Sequence, residues 1–124
     1  MTTLAERLSG VAGSLALKPP CRVSSTGNLT LSSTQVIDTI AVTTGDRVLV
    51  RNQTAPSENG IYEVRSSAWA RVSDFSSSRD CTYGTLVLTT TGASTETRLW
   101  YVSSKGINIP DGSSTISFTQ HTVR

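Results

Sequence analysis

Histidine occurs once in this 124-residue chain, cysteine twice, and charged side chains make up only 16% of it. Each shortage excludes something. His121, Cys21 and Cys81 are too few for a multi-ligand zinc centre, and the cysteines lack any CxxC spacing. No metal and no cofactor is expected, and the two thiols read as reduced and structural. A lone histidine without a Gly-x-Ser-x-Gly elbow gives no nucleophile-and-base pair. Gly27, Gly45 and Gly60 are isolated, so no glycine-rich loop cradles a phosphate. The formal net charge is +2 and the arginines are scattered, which is not a nucleic-acid footprint. No apolar run approaches the roughly 18 residues that cross a bilayer. The first residues lack a basic start, and Glu6, Arg7 and Ser9 interrupt their apolar positions, so they do not read as a secretory signal. Synthesis in a cytosol, without membrane insertion, is the expectation.

What the chain has instead is hydroxyl groups. Serine and threonine supply roughly three residues in ten, well above ordinary usage. The surface is therefore expected to be polar and nearly neutral. The length suits one domain with one real core.

Residues 1–20 differ from the rest. Leu4, Leu8, Val11 and Leu15 follow a heptad-like spacing, which predicts a short amphipathic helix. Thr2 or Thr3 can cap it, and Glu6 sits where the helix dipole favours an acid. Gly10 and Gly13 weaken it by about 1 kcal/mol each. Such a helix is marginal alone and must bury its Leu/Val face on its own domain, on sister chains or on another protein. Pro19 and Pro20 end it and form a stiff spacer. The expected organisation is an attachment or oligomerisation segment, 1–20, followed by a compact β domain, 21–124.

From residue 21 onward short strands alternate with turns. Arg47–Arg51 reads as a central strand, entered through Gly45-Asp46. Asn52–Asn59 reads as a loop, Asn59-Gly60 as a positive-φ turn and Ile61–Arg65 as the returning strand. Glu63 is expected opposite an arginine on the neighbouring strand. Asp38-Thr39 reads as a local bend between Val36-Ile37 and Ile40–Val42. Further strands are expected at Ala68–Val72, Thr85–Thr90, Leu99–Val102 and Thr115–His121. The fold class is mainly β: a small antiparallel sandwich or partly closed barrel with a short N-terminal helix.

Candidate chemistry is sparse. Asp38, Asp46, Glu58, Glu63, Asp74 and Asp80 could in principle pair as in a glycosidase, but each has a plainer place in a turn, loop or strand. Trp69 reads as core. Trp100, Tyr101 and Tyr83 are the candidates for an exposed binding surface, because Trp100 and Tyr101 must face opposite ways on one strand. No catalytic residue is assigned.

Five blocks carry a resemblance. They are Asn28–Ser32, Gln35–Asp38, Gly45–Thr54, Glu58–Val64 and Trp69–Asp74. In sequence and spacing they resemble a module of structural proteins of tailed bacteriophages, found in tail fibres, tail spikes and similar appendages. The resemblance spans roughly residues 21 to 120. Ser33 and Thr39 stand where the family often has glycine, and Arg51 where it often has lysine. The stretch after Trp69-Ala70-Arg71 is Phe75-Ser76-Ser77-Ser78-Arg79-Asp80 instead of acid-rich. The resemblance implies a non-enzymatic virion component, a fibre, spike, appendage, tail-adaptor or head-surface subunit, that acts by binding other virion proteins. It would be made in the host bacterial cytoplasm and act as a self-contained subunit from Met1 to Arg124. A homotrimer joined through Leu4, Leu8, Val11 and Leu15 is the expected assembly. The competing expectations are a receptor- or carbohydrate-binding module that contacts host surface glycan, and a small hydrolase of cell-envelope polysaccharide.

Overall fold

Val48, Leu49 and Val50 are all wholly buried, although successive side chains of a strand point to opposite faces. Both faces of that strand are therefore covered. The computed structural model describes residues 17–76, 81–92, 98–105, 107, 109 and 114–121. Nine strands are described: β1 (Val23–Ser24), β2 (Gln35–Ile37), β3 (Ile40–Val42), β4 (Arg47–Val50), β5 (Gly60–Glu63), β6 (Ala70–Arg71), β7 (Leu86–Thr89), β8 (Arg98–Val102) and β9 (Phe118–His121). The fold is mainly β. The strands form three sheets, ordered β1-β4-β5-β6, β2-β3 and β7-β8-β9, and the described strands do not close into a barrel. The amphipathic segment with Leu4, Leu8, Val11 and Leu15 lies outside the described residues.

Two cores flank the β4–β5 pair. Leu49 and its partner Ile61 face one, with Phe75, Val87, Trp100, Val102, Ile116 and both cysteines. Val48 and Val50 face the other, with Tyr62, Val64, Trp69, Val23, Ile37 and Val42. The first core lies toward the β7–β9 sheet and the second toward the β2–β3 hairpin. Fully burying one such aliphatic side chain contributes about 1.5–3 kcal/mol.

A single extended segment joins the two larger sheets. Lys18 and Cys21 donate to Leu86 O and Leu88 O of β7, each at 2.8 Å, in parallel register. Beyond a bend at Arg22, β1 pairs in parallel with β4, Val23 opposite Val48 and Ser24 opposite Leu49. Cys21 consequently faces the first core and Val23 the second. Pro19 and Pro20 are exposed, yet Lys18 before them is already bonded to β7. Lys18, at the start of the stretch expected as a stiff spacer, is thus bonded to the β domain.

The turns show which local signals decided. Thr43–Asp46 is a tight turn: Asp46 N–H donates to Thr43 O at 3.0 Å, and Gly45 supplies φ +98°. Asp38-Thr39 is a two-residue hairpin turn at φ +48° and +72°, reached without glycine. Asn59-Gly60 is not the expected turn. Asn59 is extended (φ −64°, ψ 158°) and Gly60 already belongs to β5. A single 3-10 turn at Pro56–Glu58 reverses the chain instead. Gly60 is favoured by its backbone, because φ +147° is a conformation that L side chains rarely adopt; a Cβ there would also displace the end of Arg71.

Asn59 has a different task. Its Oδ1 accepts from Gln53 N–H at 3.0 Å, and its Nδ2 donates to Ile116 O at 2.8 Å. Both bonds are buried, and the second ties the approach to β9 to the end of the 52–59 loop. Ile116 N–H reaches Pro56 O at 3.3 Å. This is why the strand expected from Thr115 begins only at Phe118: Ile116 is bonded across the core instead of in the ladder. Gln53 continues the clasp, accepting from Leu29 N–H (2.8 Å) and donating to Leu29 O (3.0 Å).

Asn59→Ala leaves the Gln53 N–H and the Ile116 carbonyl buried without their partner. The expected loss is about 2–4 kcal/mol of unfolding free energy, read as a lower urea midpoint at unchanged slope. A change within about 0.5 kcal/mol would mean the clasp is dispensable.

Candidate functional site

Where β4 begins, β5 ends and the chain leaves β6, the surface opens into a cleft of about 490 Å³. Gly45, Arg47, Glu63, Arg65 and Arg71 line it, with the turn 72–74. The sequence places these side chains simply. Arg47 and Glu63 end the apolar runs of β4 and β5 and are direct cross-strand partners, as the charge pattern suggests. Arg71 lies on β6 opposite Tyr62.

The charges are unequally occupied. Arg47 does not turn to Glu63. It holds Asp74 with two bonds, 2.8 and 3.1 Å, and also donates to Pro19 O at 3.0 Å. Glu63 instead meets Arg65 at 3.0 Å in an exposed pair. Arg71 donates to Asn59 O and Ser57 O, both at 2.8 Å, and its guanidinium stands 5.0 Å from the Tyr62 ring centre. Behind the cleft, Cys21 is buried. Burial pushes its thiol pKa up to about 12, against the pull of Arg47.

The other candidate acids serve the framework. Burial pushes the Asp46 carboxyl up, but the Thr43 N–H and then Arg22 pull harder and leave it below the ordinary carboxylate value. The contacts are 2.9 Å from Thr43 N–H and 2.7 Å from Arg22. Glu58 accepts from Gln53 Nε2 at 3.2 Å. Asp38 sits in the hairpin turn. Among these described acids, no two are brought together as a catalytic pair flanking this cleft without a bonded arginine beside each. Asp80 lies outside the described residues.

The aromatic candidates separate. Trp69 is core, with its indole N–H donating to Ser33 O at 2.9 Å. Trp100, expected as a surface candidate, is only 5% exposed. Its indole donates to Thr89 Oγ1 at 3.1 Å and Arg51 covers the ring at 4.2 Å, so it is removed from the binding surface. The physical reason is that its face of β8 is the one that packs into the first core, while the Tyr101 face does not. Tyr101 is half-buried on the opposite face. Tyr83 is 56% exposed, with the Lys105 amine 5.1 Å from its ring centre. Leu4, Leu8, Val11 and Leu15 are outside the described residues. Sequence reasoning missed the cleft, whose signal was present only as charged residues at the ends of three apolar runs.

Comparison with known protein families, characterised proteins and solved structures gives no match to this chain.

Two outcomes follow from these pKa directions. Asp46 has a depressed folded pKa, so its stabilisation is present above the ordinary carboxylate value and lost as pH falls through the folded one. Melting temperatures of the protein and of Asp46→Asn, compared from about pH 7 to about pH 2.5, are expected to converge at the acid end. A constant gap would remove the carboxylate charge as the cause. Cys21 has a raised folded pKa, so its contribution is present below the unfolded value and fades as pH climbs from 9.0 toward about 12. At neutral pH it is expected to resist iodoacetamide in the native protein and to react on unfolding in urea, as read by mass spectrometry.

Proposed function

We propose that this chain is a non-enzymatic structural subunit of a tailed-bacteriophage particle, acting by assembly with other virion proteins. The resemblance of its five sequence blocks to the phage appendage module supports the reading. The observation that carries it is what the polar residues of those blocks do. Asp46, Gln53, Glu58, Asn59, Trp69 and Asp74 all hold the chain to itself, through a turn, a loop clasp, a core indole and a bidentate ion pair. Residues of that kind define a scaffold. In this reading the β unit is a small sandwich, the segment 1–20 supplies the docking helix and its spacer, and Leu4, Leu8, Val11 and Leu15 join it to sister chains as a trimer or to a neighbouring virion protein.

A second reading, a receptor- or carbohydrate-binding module, is favoured by one observation: Tyr83 is exposed, with a lysine beside its ring. A glycan array separates the two, because glycan binding abolished by Tyr83→Ala supports the second and no glycan binding removes it.

The assembly reading is tested by solution mass from light scattering, for the whole chain and for a chain starting at Leu17, which keeps the Lys18 bond to β7. A trimer that becomes a monomer on truncation identifies a self-assembly collar, as in a fibre or spike. A monomer in both, with the whole chain alone co-sedimenting with phage particles, identifies an adaptor or decoration subunit. A monomer that never associates with particles overturns the proposal.

A further inference from the structure

The cleft beside β5 carries a positive charge that the described residues leave unbalanced. Arg47 has a carboxylate of its own in Asp74, held at 2.8 Å. Arg65 and Glu63 form a pair whose side chains are 51% and 43% exposed, a geometry that contributes about 0–1 kcal/mol and exchanges readily. Arg71 has no carboxylate partner among the described residues; Ser57 O and Asn59 O satisfy its hydrogens without cancelling its charge. Three guanidinium groups against the carboxylates of Glu63 and Asp74 leave one net positive charge among the described residues that line the cleft.

We propose that this cleft is an interaction surface that takes one acidic side chain, Asp or Glu, from a neighbouring protein. Arg65 turns from Glu63 to hold the incoming carboxylate through the two parallel bonds a guanidinium offers. Arg71 supplies the uncompensated field, and it is fixed in place by its two main-chain acceptors and Tyr62. Val72 and Ser73 on the rim give the visiting residue an apolar contact and a hydroxyl. The single surplus charge matches one carboxylate. A nucleic-acid backbone is a poor fit, because its successive phosphates would meet Glu63 and Asp74 in the same cleft, and the whole chain carries only +2. That the neighbour is a virion protein rests on the structural-subunit reading above; the charge argument does not.

The test is a titration of the full chain, followed by NMR, with a blocked Ala-Glu-Ala peptide and its Ala-Gln-Ala counterpart as control. Saturable shifts at residues 63–74 are expected from the Glu peptide. They should weaken about five-fold or more with the Gln peptide, in Arg65→Ala, and on raising salt from about 20 mM to about 500 mM. Arg65 is exposed, so its variant retains the fold, which the unperturbed spectrum verifies; Arg71→Lys keeps the charge and should bind more weakly than the parent but above Arg65→Ala. Equal responses to the two peptides, or no saturable shift up to about 10 mM, overturn the proposal. Tighter binding of a short single-stranded oligonucleotide at the same residues also overturns it, in favour of a phosphate site. Solution mass and particle association are read separately, so loss of this contact with assembly intact removes the acid-binding cleft alone.

Discussion

Lys18 and Cys21 donate to β7, while Arg22 and Ser25 donate to Arg47 O and Leu49 O of β4, so one extended segment is bonded to two sheets. An unpaired strand edge exposes a row of donors and acceptors, and here two such edges are satisfied by the same few residues. Arg47 makes the junction rigid. Its guanidinium binds the Pro19 carbonyl on that segment and both oxygens of Asp74 on the turn after β6, while its backbone starts the central strand. Cys21 fits beneath as a small neutral side chain. Burial keeps its proton on, which suits a site whose one nearby cation is already paired with a carboxylate. If the segment were displaced, β7 would lose its parallel partner, β4 would lose β1 and both cores would open along the same line.

The opposite side of the first core depends on a neutral clasp instead of a charged one. Asn59 reaches Ile116 across the sequence, and the Phe75 ring lies 5.7 Å from that of Phe118. The charged brace and the amide clasp thus hold the first core from two directions. The arrangement also explains how a chain with so few aromatic residues builds two cores. β4 and β5 serve both of them, through alternate residues.

Much of this was legible in the sequence wherever one residue has one dominant local role. The apolar run of β4, the Gly45-Asp46 turn, the burial of Trp69 and the register that sets Glu63 opposite an arginine of β4 all follow from alternation and turn chemistry. Misreadings occurred where a residue with strong local preferences was used over long range. Asn59-Gly60 has the signature of a tight turn, but the amide gains more from two buried partners far apart in sequence than from a left-handed turn of its own. Trp100 and Tyr101 alternate on β8, which shows that they face opposite ways. Which of them is buried depends on where the first core lies, and that is set by strand pairings remote in sequence. The cleft was invisible for a related reason: the β4–β5 hairpin was readable, but the placing of Arg71 and Asp74 beside it depends on the pairing of β6 with β5 and on the turn that follows. Asp38-Thr39 is an instructive intermediate case. The bend was readable, but a left-handed threonine is costly enough that only the pairing of Ile37 with Ile40 accounts for it.

The direction of the segment 17–24 bears on assembly. Its first part, Leu17 to Cys21, runs parallel to β7, with Leu17 beside Leu86 at the end of the sheet where β7 starts. Leu17 is 57% exposed there, on a segment whose backbone is already held by Lys18 and Cys21. The arginine cleft opens around the start of β4 and the end of β5, reached from this segment through the Arg47 bond to Pro19 O. In the proposed structural-subunit reading, Leu17 and the cleft would offer a neighbour two contacts of different chemistry. Two contacts of different chemistry, one apolar and one ionic, respond oppositely to solution conditions: salt strengthens the first and screens the second. If the proposed reading holds, particle association measured across a salt series would separate the two, since only an ionic hold would loosen as salt rises.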